Sequence, residues 1–232
     1  RGCQVKMNIE RNIDELRERV AKSAAKSGRK PEDIQVVAVC KTVGVDEVIR
    51  AYNAGMIDFG ENRAQDFLKK YENLADYNLN WHFIGHLQRN KVKYIVDKVK
   101  LIHSVDSIRL AKEIDIQARK IGKPVDCLLQ LNVSGEEQKY GMDPEMIYEF
   151  LEEVSKMEYV RIKGLMTMAP CECPEKELRK IFSRTHEIYV DISKNSMHNI
   201  NMDYLSMGMS NDFEIAIEEG ANMIRVGSSI FN

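Results

Sequence analysis

In the segment VVAVCKT (36–42) a lysine follows directly on a run of β-branched and small apolar residues, with no turn residue between them. Such a run reads as a strand buried on both faces. The ammonium at its end therefore stands either in water, as strand-end lysines commonly do, or at the mouth of a pocket where its amine can form a Schiff base. Alternation puts Val37, Val39 and Lys41 on one strand face and Ala38 and Cys40 on the other. Near the C-terminus, LSMGMSND (205–212) and IRVGSSIF (224–231) set glycine beside hydroxyls. Bare backbone N–H groups and serine oxygens of that kind can close around a phosphate, helped by a helix expected to begin near Asn211. Either stretch alone is equally the mark of an ordinary turn or N-cap. Arg225 shares a face with Met223, opposite Ile224 and Val226, so if that pair packs under helices the guanidinium points inward. An inward charge needs an internal carboxylate, water or a ligand.

Further polar residues follow the same geometry. DFGENR (58–63) ends with Glu61 and Asn62, the latter able to contact a ring oxygen or to cap a helix. WHFIGHLQRNK (81–91) places His82, Ile84 and His86 on one face, with both histidines read as hydrogen-bonded barrel residues. LNVSGEEQKYG (131–141) carries Asn132 and Lys139, the lysine read as a surface residue with a second-amine role as the alternative.

The elements that must position these groups alternate regularly. Helical periodicity with a nearby glycine predicts a leading helix over 8–27. Strand patterns follow at 34–41, 57–61, 80–85, 99–105, 125–133, 160–168, 203–207 and 223–227, separated by amphipathic stretches such as SIRLAKEIDIQARKIG. Eight βα units in this length predict a closed (β/α)8 TIM barrel with an extra N-terminal helix, a single domain over 1–232. An open doubly wound sheet is the alternative, but CKTVGVDE lacks the G-x-G-x-x-G turn. In such a barrel the strand C-termini carry function, and loops seven and eight commonly hold phosphate. A Schiff-base lysine, a phosphate cradle and an inward arginine together match the aldehyde, phosphate and pyridine nitrogen of pyridoxal 5′-phosphate (PLP).

Composition narrows the setting. The 34 basic side chains against 36 acidic ones give no global attraction to nucleic acid or membrane. No apolar run approaches the roughly 20 residues of a bilayer span, and the N-terminal region is a charged helical pattern where a secretory leader would be apolar. The six residues before Met7 read as upstream or appended sequence. Five cysteines without framework spacing indicate reduced thiols and a cytoplasmic location; Cys40 and Cys127 fall in apolar strand patterns, and CEC (171–173) lacks the further ligands of a metal site.

In order along the chain, AVCKT, GENRAQD, WHFIGHLQRNK, LNVSGEEQKYG, GLMTM and LSMGMSNDFEIAIEEGANMIRVGSSIF resemble the motifs of the pyridoxal phosphate homeostasis protein family, relatives of the alanine racemase barrel, from about residue 8 to the end. The resemblance implies a (β/α)8 barrel, a Schiff base on Lys41, phosphate contacts at Ser210, Gly227 and Ser228, and Arg225 near the pyridine nitrogen. It also implies a cytoplasmic role in vitamin B6 and amino-acid homeostasis without an established reaction. Cys40 stands where the family often has serine and Ser228 where threonine is common. The end at Asn232 leaves any C-terminal contribution open.

The expected function is therefore a PLP carrier or buffer without strong catalysis. Its expected partners are free amino acids and PLP-dependent apo-enzymes, with no nucleic acid or membrane, as a monomer or weak dimer. The alternatives are a PLP-dependent racemase or lyase and, from another class, a sugar-phosphate aldolase using Lys41 as its amine. Poor racemisation is expected because Arg225 can only donate, which weakens the ring as an electron sink. It is expected also because no second domain follows the eighth strand to supply an opposing base.

Overall fold

The computed structural model describes residues 8–135 and 140–232. Eight strands, β1 (Gln35–Val39), β2 (Asp58–Glu61), β3 (Asn80–Phe83), β4 (Leu101–Val105), β5 (Val125–Leu131), β6 (Val160–Thr167), β7 (Ile200–Ser206) and β8 (Met223–Val226), pair in parallel in sequence order. β1 bonds to both β2 and β8, which closes the sheet into a TIM barrel. All eight expected strands are present, with ends trimmed by one or two residues at most positions and β7 begun three residues earlier.

The helices are α1 (Ile9–Lys26), α2 (Val45–Asn53), α3 (Ala64–Asn73), α4 (Ile108–Ile121), α5 (Ile147–Ser155), α6 (Glu175–Ser193), α7 (Phe213–Glu218) and α8 (Ser228–Phe231). Between β3 and β4 the chain uses a 3-10 turn, Arg89–Tyr94, in place of an α-helix. α4 shows how local chemistry sets the ends. The Ser107 hydroxyl accepts from the Leu110 amide at its start, and Gly122 turns the chain left-handed at φ +66° at its end. α8 is only four residues long, and α1 packs on α7, α8 and α2, covering the seam where β8 meets β1. Ile9, Ile13, Leu16, Val20 and Ala24 form its buried stripe.

Two apolar cores result. The larger lies between strands and helices and includes Ala38, Cys40, Phe67, Phe182, Phe213, Ile224 and Val226. The smaller fills the barrel with Val37, Leu101, Leu128, Met166 and Met223, against which Tyr204 packs. Val37 in one and Ala38 and Cys40 in the other confirm the expected strand parity, as do Met223 inside and Ile224 and Val226 outside.

Candidate functional site

The six expected site residues lie on four contiguous staves, β7, β8, β1 and β2, at or beyond their C-terminal ends. Lys41 is not the last residue of β1, which ends at Val39; it stands exposed in a turn two residues beyond. The strand stops there because Cys40 makes the last ladder bond, its amide donating to the Gly60 carbonyl at 3.0 Å, and the Val43 amide then folds back onto the Cys40 carbonyl at 3.3 Å.

That turn is held from beneath by two residues given no role in the sequence reading. Lys70 donates to the Cys40 carbonyl at 2.5 Å and to Glu61 Oε2 at 2.6 Å. Glu61 is fully buried and Lys70 is 8% exposed, so the pair is desolvated. Glu61 Oε1 also accepts the Asn62 amide at 3.0 Å, so one carboxylate fixes the backbone at the ends of both β1 and β2. The available signal was a lysine three residues after Phe67 on the apolar face of α3, where the two are the helix's buried residues. Cys40, beside this pair, has its thiol pushed up to about 12 by burial and by the Glu61 charge, and is not a nucleophile at neutral pH.

Asn62 is half-buried, and its side chain hydrogen-bonds to no described residue. It is not a helix cap: Arg63 occupies the N-cap position of α3. Gly85 packs directly on the Asn62 backbone, since a Cβ there would fall 2.1 Å from the Asn62 carbonyl oxygen.

The C-terminal loops meet through Ser210. Its hydroxyl oxygen accepts the amides of Gly227 and Ser229, each at 3.2 Å, so two backbone donors converge on one oxygen. Gly227 lies against the end of β1, where a Cβ would sit 3.1 Å from the Val39 carbonyl oxygen. Ser228 is exposed. The helix expected near Asn211 begins at Phe213, and Asp212 closes the loop instead by accepting the Met209 amide at 2.6 Å.

Arg225 does point into the barrel and is 3% exposed. Nη1 donates to Ser206 Oγ at 2.7 Å and Nη2 to the Thr167 carbonyl at 3.0 Å. Burial lowers its pKa to about 10, against the opposing pull of the Asp212 charge, so it stays cationic at neutral pH. A guanidinium has five N–H donors, and these two bonds leave three for another acceptor.

His82 is a buried, hydrogen-bonded barrel residue, as expected. His86 is not: β3 ends at Phe83, and the His86 ring lies at the mouth, stacked on Tyr140 with centroids 4.1 Å apart and 4.0 Å from Asp106. Asn132 follows β5 and accepts from the Ser134 hydroxyl at 3.1 Å. Lys139 lies outside the described residues. Cys171 and Cys173 are free thiols, and no group of three potential metal ligands occurs among the described residues. No described helix is long and apolar enough to cross a membrane.

Residues 8–232 match the family model of the alanine racemase N-terminal domain. The pyridoxal phosphate homeostasis protein of Aquifex aeolicus is 42% identical over 97% of this chain and 98% of its own length. The structure of PipY from Synechococcus elongatus with PLP bound is 32% identical, with a TM-score of 0.85 over 97% of this chain and 100% of that one. An alanine racemase of Clostridium difficile shares the fold at 15% identity, with a TM-score of 0.76 over 96% of this chain and 58% of that one. The chain thus belongs to the alanine racemase N-terminal domain family and, within it, to the pyridoxal phosphate homeostasis proteins.

Proposed function

We propose that the chain binds PLP at the C-terminal mouth of the barrel, holds it as a Schiff base on Lys41, and serves intracellular PLP and amino-acid homeostasis without strong catalysis. The observation that carries this reading is the donor arrangement on one side of the barrel. Arg225 has three N–H groups with no acceptor among the described residues, and the Gly227 and Ser229 amides converge on the Ser210 oxygen, a position where an oxyanion would take over as acceptor. Such a set suits a ring nitrogen at one end and an oxyanion at the other. When bound, PLP supplies a reactive aldehyde and an electron-accepting ring.

Each residue then has a distinct task. Lys41 would hold the cofactor by condensing its amine with the aldehyde, with loss of one water. Its exposure keeps the reverse hydrolysis accessible, which suits a carrier that must also release. Asn62 offers its amide to the phenolic oxygen. Ser210, Gly227 and Ser228 hold the phosphate through hydroxyl and backbone donors. Arg225 donates to the ring nitrogen and brings no proton that can be transferred at neutral pH, which leaves that nitrogen an acceptor.

The family relationship and the PLP-bound PipY structure support the cofactor class. Incubation with PLP, borohydride reduction and peptide mapping tests the reading: the phosphopyridoxyl mass is expected on Lys41, and its absence from Lys41 overturns it. L-alanine in deuterated water tests the carrier role, with negligible α-proton exchange expected. Exchange at the roughly 1–10³ per second of ordinary enzymes would favour a racemase.

A further inference from the structure

A line of polar side chains crosses the inside of the barrel, where a TIM barrel ordinarily stacks branched aliphatic layers. It begins at Asp58, the first residue of β2, which is 7% exposed and lines a cleft of about 280 Å³ with Gln35, Ile57 and Arg17. Asp58 Oδ1 lies 3.0 Å from His82 Nε2. His82 Nδ1 is 2.9 Å from His103 Nε2, and His103 Nδ1 is 3.1 Å from Ser206 Oγ, the atom that receives Arg225 Nη1 at 2.7 Å. Both histidines are fully buried.

The direction of every proton in this line follows from its two ends. The Asp58 carboxylate only accepts, so His82 must carry its proton on Nε2 and accept at Nδ1. His103 then carries its proton on Nε2, accepts at Nδ1, and takes the Ser206 proton. With that proton committed, the Ser206 oxygen is free to accept from Arg225, which only donates.

Burial holds both imidazoles neutral, lowering the pKa of each, and the Arg225 charge adds to this at His103. The other charged groups facing the line are Lys100, 3.4 Å from Asp58 Oδ1, and Asp212, whose charge acts on Arg225. An interior this polar is costly unless every group is satisfied in one arrangement.

We propose that Asp58, His82, His103 and Ser206 form a directional hydrogen-bond relay that positions Arg225 and couples the cofactor's ring nitrogen to the cleft at the opposite end of the barrel. The four are positioning residues, and the coupling to the ring rests on the PLP reading above. Reversing the tautomers at the Asp58 end makes Ser206 Oγ accept from both His103 and Arg225 and deprives its own proton of the His103 acceptor, which loosens the hydroxyl that holds the guanidinium. Asp58→Asn permits this with little change of shape, because it removes the carboxylate that can only accept and presents a donor as well as an acceptor, the logic by which an Asp-to-Asn change disables a catalytic triad.

The test has two readouts. In the cofactor-free, ¹⁵N-labelled protein, two-bond ¹H–¹⁵N spectra report the ring tautomers. Both His82 and His103 are expected as neutral Nε2–H forms in the native chain, and either as Nδ1–H or charged at pH 7 overturns the relay without any variant. Asp58→Asn is expected to shift both toward Nδ1–H. In the PLP-loaded protein, Asp58→Asn and Ser206→Ala are each expected to speed cofactor loss about three- to tenfold, and the double variant no more than either alone. Multiplying effects in the double variant, or unchanged cofactor loss with unchanged tautomers in Asp58→Asn, overturn the relay. A native chain that retains no PLP overturns the proposed function instead, while the tautomer measurement still decides the relay.

Discussion

The two cores of this barrel have opposite chemistry. The layer between strands and helices is continuous and apolar, with Phe67, Phe182 and Phe213 among its fully buried side chains. The barrel interior has five clustered apolar residues, and Asp58, His82, His103, Ser206 and Arg225 are threaded through it. Burial of apolar area in the outer layer is sufficient to drive folding, and polar groups would weaken it. The interior is bounded on all sides by strands already held by their ladders, so it can tolerate groups that order a site. The outer layer therefore carries stability, and the interior and its mouth hold the proposed site.

The sharpest way to break this division is at Lys41. Lys41→Ala is expected to abolish borohydride-trapped PLP completely while leaving the thermal midpoint unchanged, because the residue is exposed and pairs with no described residue. A large loss of stability would erase the division.

The outer layer should respond in the reverse sense. Phe213→Ala removes a fully buried ring that lies under the Arg19 guanidinium, and is expected to cost about 3–5 kcal/mol in urea denaturation. The folded fraction should still trap PLP on Lys41.

Glu61→Gln probes the boundary between the two regions. It leaves the Lys70 ammonium buried without its carboxylate, a loss of about 3–5 kcal/mol. It should also loosen the Lys41 turn, so both denaturation and PLP retention are expected to change. An effect on stability alone would assign the pair to the outer core.

Smaller effects refine the mouth. Each hydroxyl donor to a phosphate dianion contributes about 1.5–3 kcal/mol, so Ser210→Ala combined with Ser228→Ala should weaken PLP retention at least tenfold. Pyridoxal without phosphate should bind the native chain far more weakly than PLP, and equal affinity would move the cradle elsewhere.

Mild acid tests the interior. His82 and His103 have lowered pKa values in the fold, so below about pH 6.5 the unfolded chain takes up protons that the native chain refuses. Stability should therefore fall from pH 7 to pH 5, by up to about 1.4 kcal/mol per pH unit for each histidine, and the slope should flatten in His103→Gln. Asp58 also has a lowered pKa. Burial pushes it up, but His82 and Lys100 outweigh that, and its contribution is lost only further into acid, below about pH 4.

Period-two and helical patterns, Lys41 after its apolar run, and the two glycine-serine loops were all legible in the sequence because they are local. Alternation and turn chemistry act over a few residues, and eight βα repeats admit few closed arrangements. The inward direction of Arg225 followed from parity alone. What remained for the tertiary structure was which distant groups meet. Lys70 reaches the Cys40 carbonyl across 30 residues and His103 reaches Ser206 across 103, and no local pattern encodes such pairs. His86 was misplaced because the strand ends at Phe83, after which parity no longer governs. Composition and periodicity determined the barrel and the end of it that carries the site. Only closure of the strands into one ring decided which buried charges hold Lys41 and Arg225 in place, because pairing of desolvated polar groups depends on three-dimensional proximity and not on order along the chain.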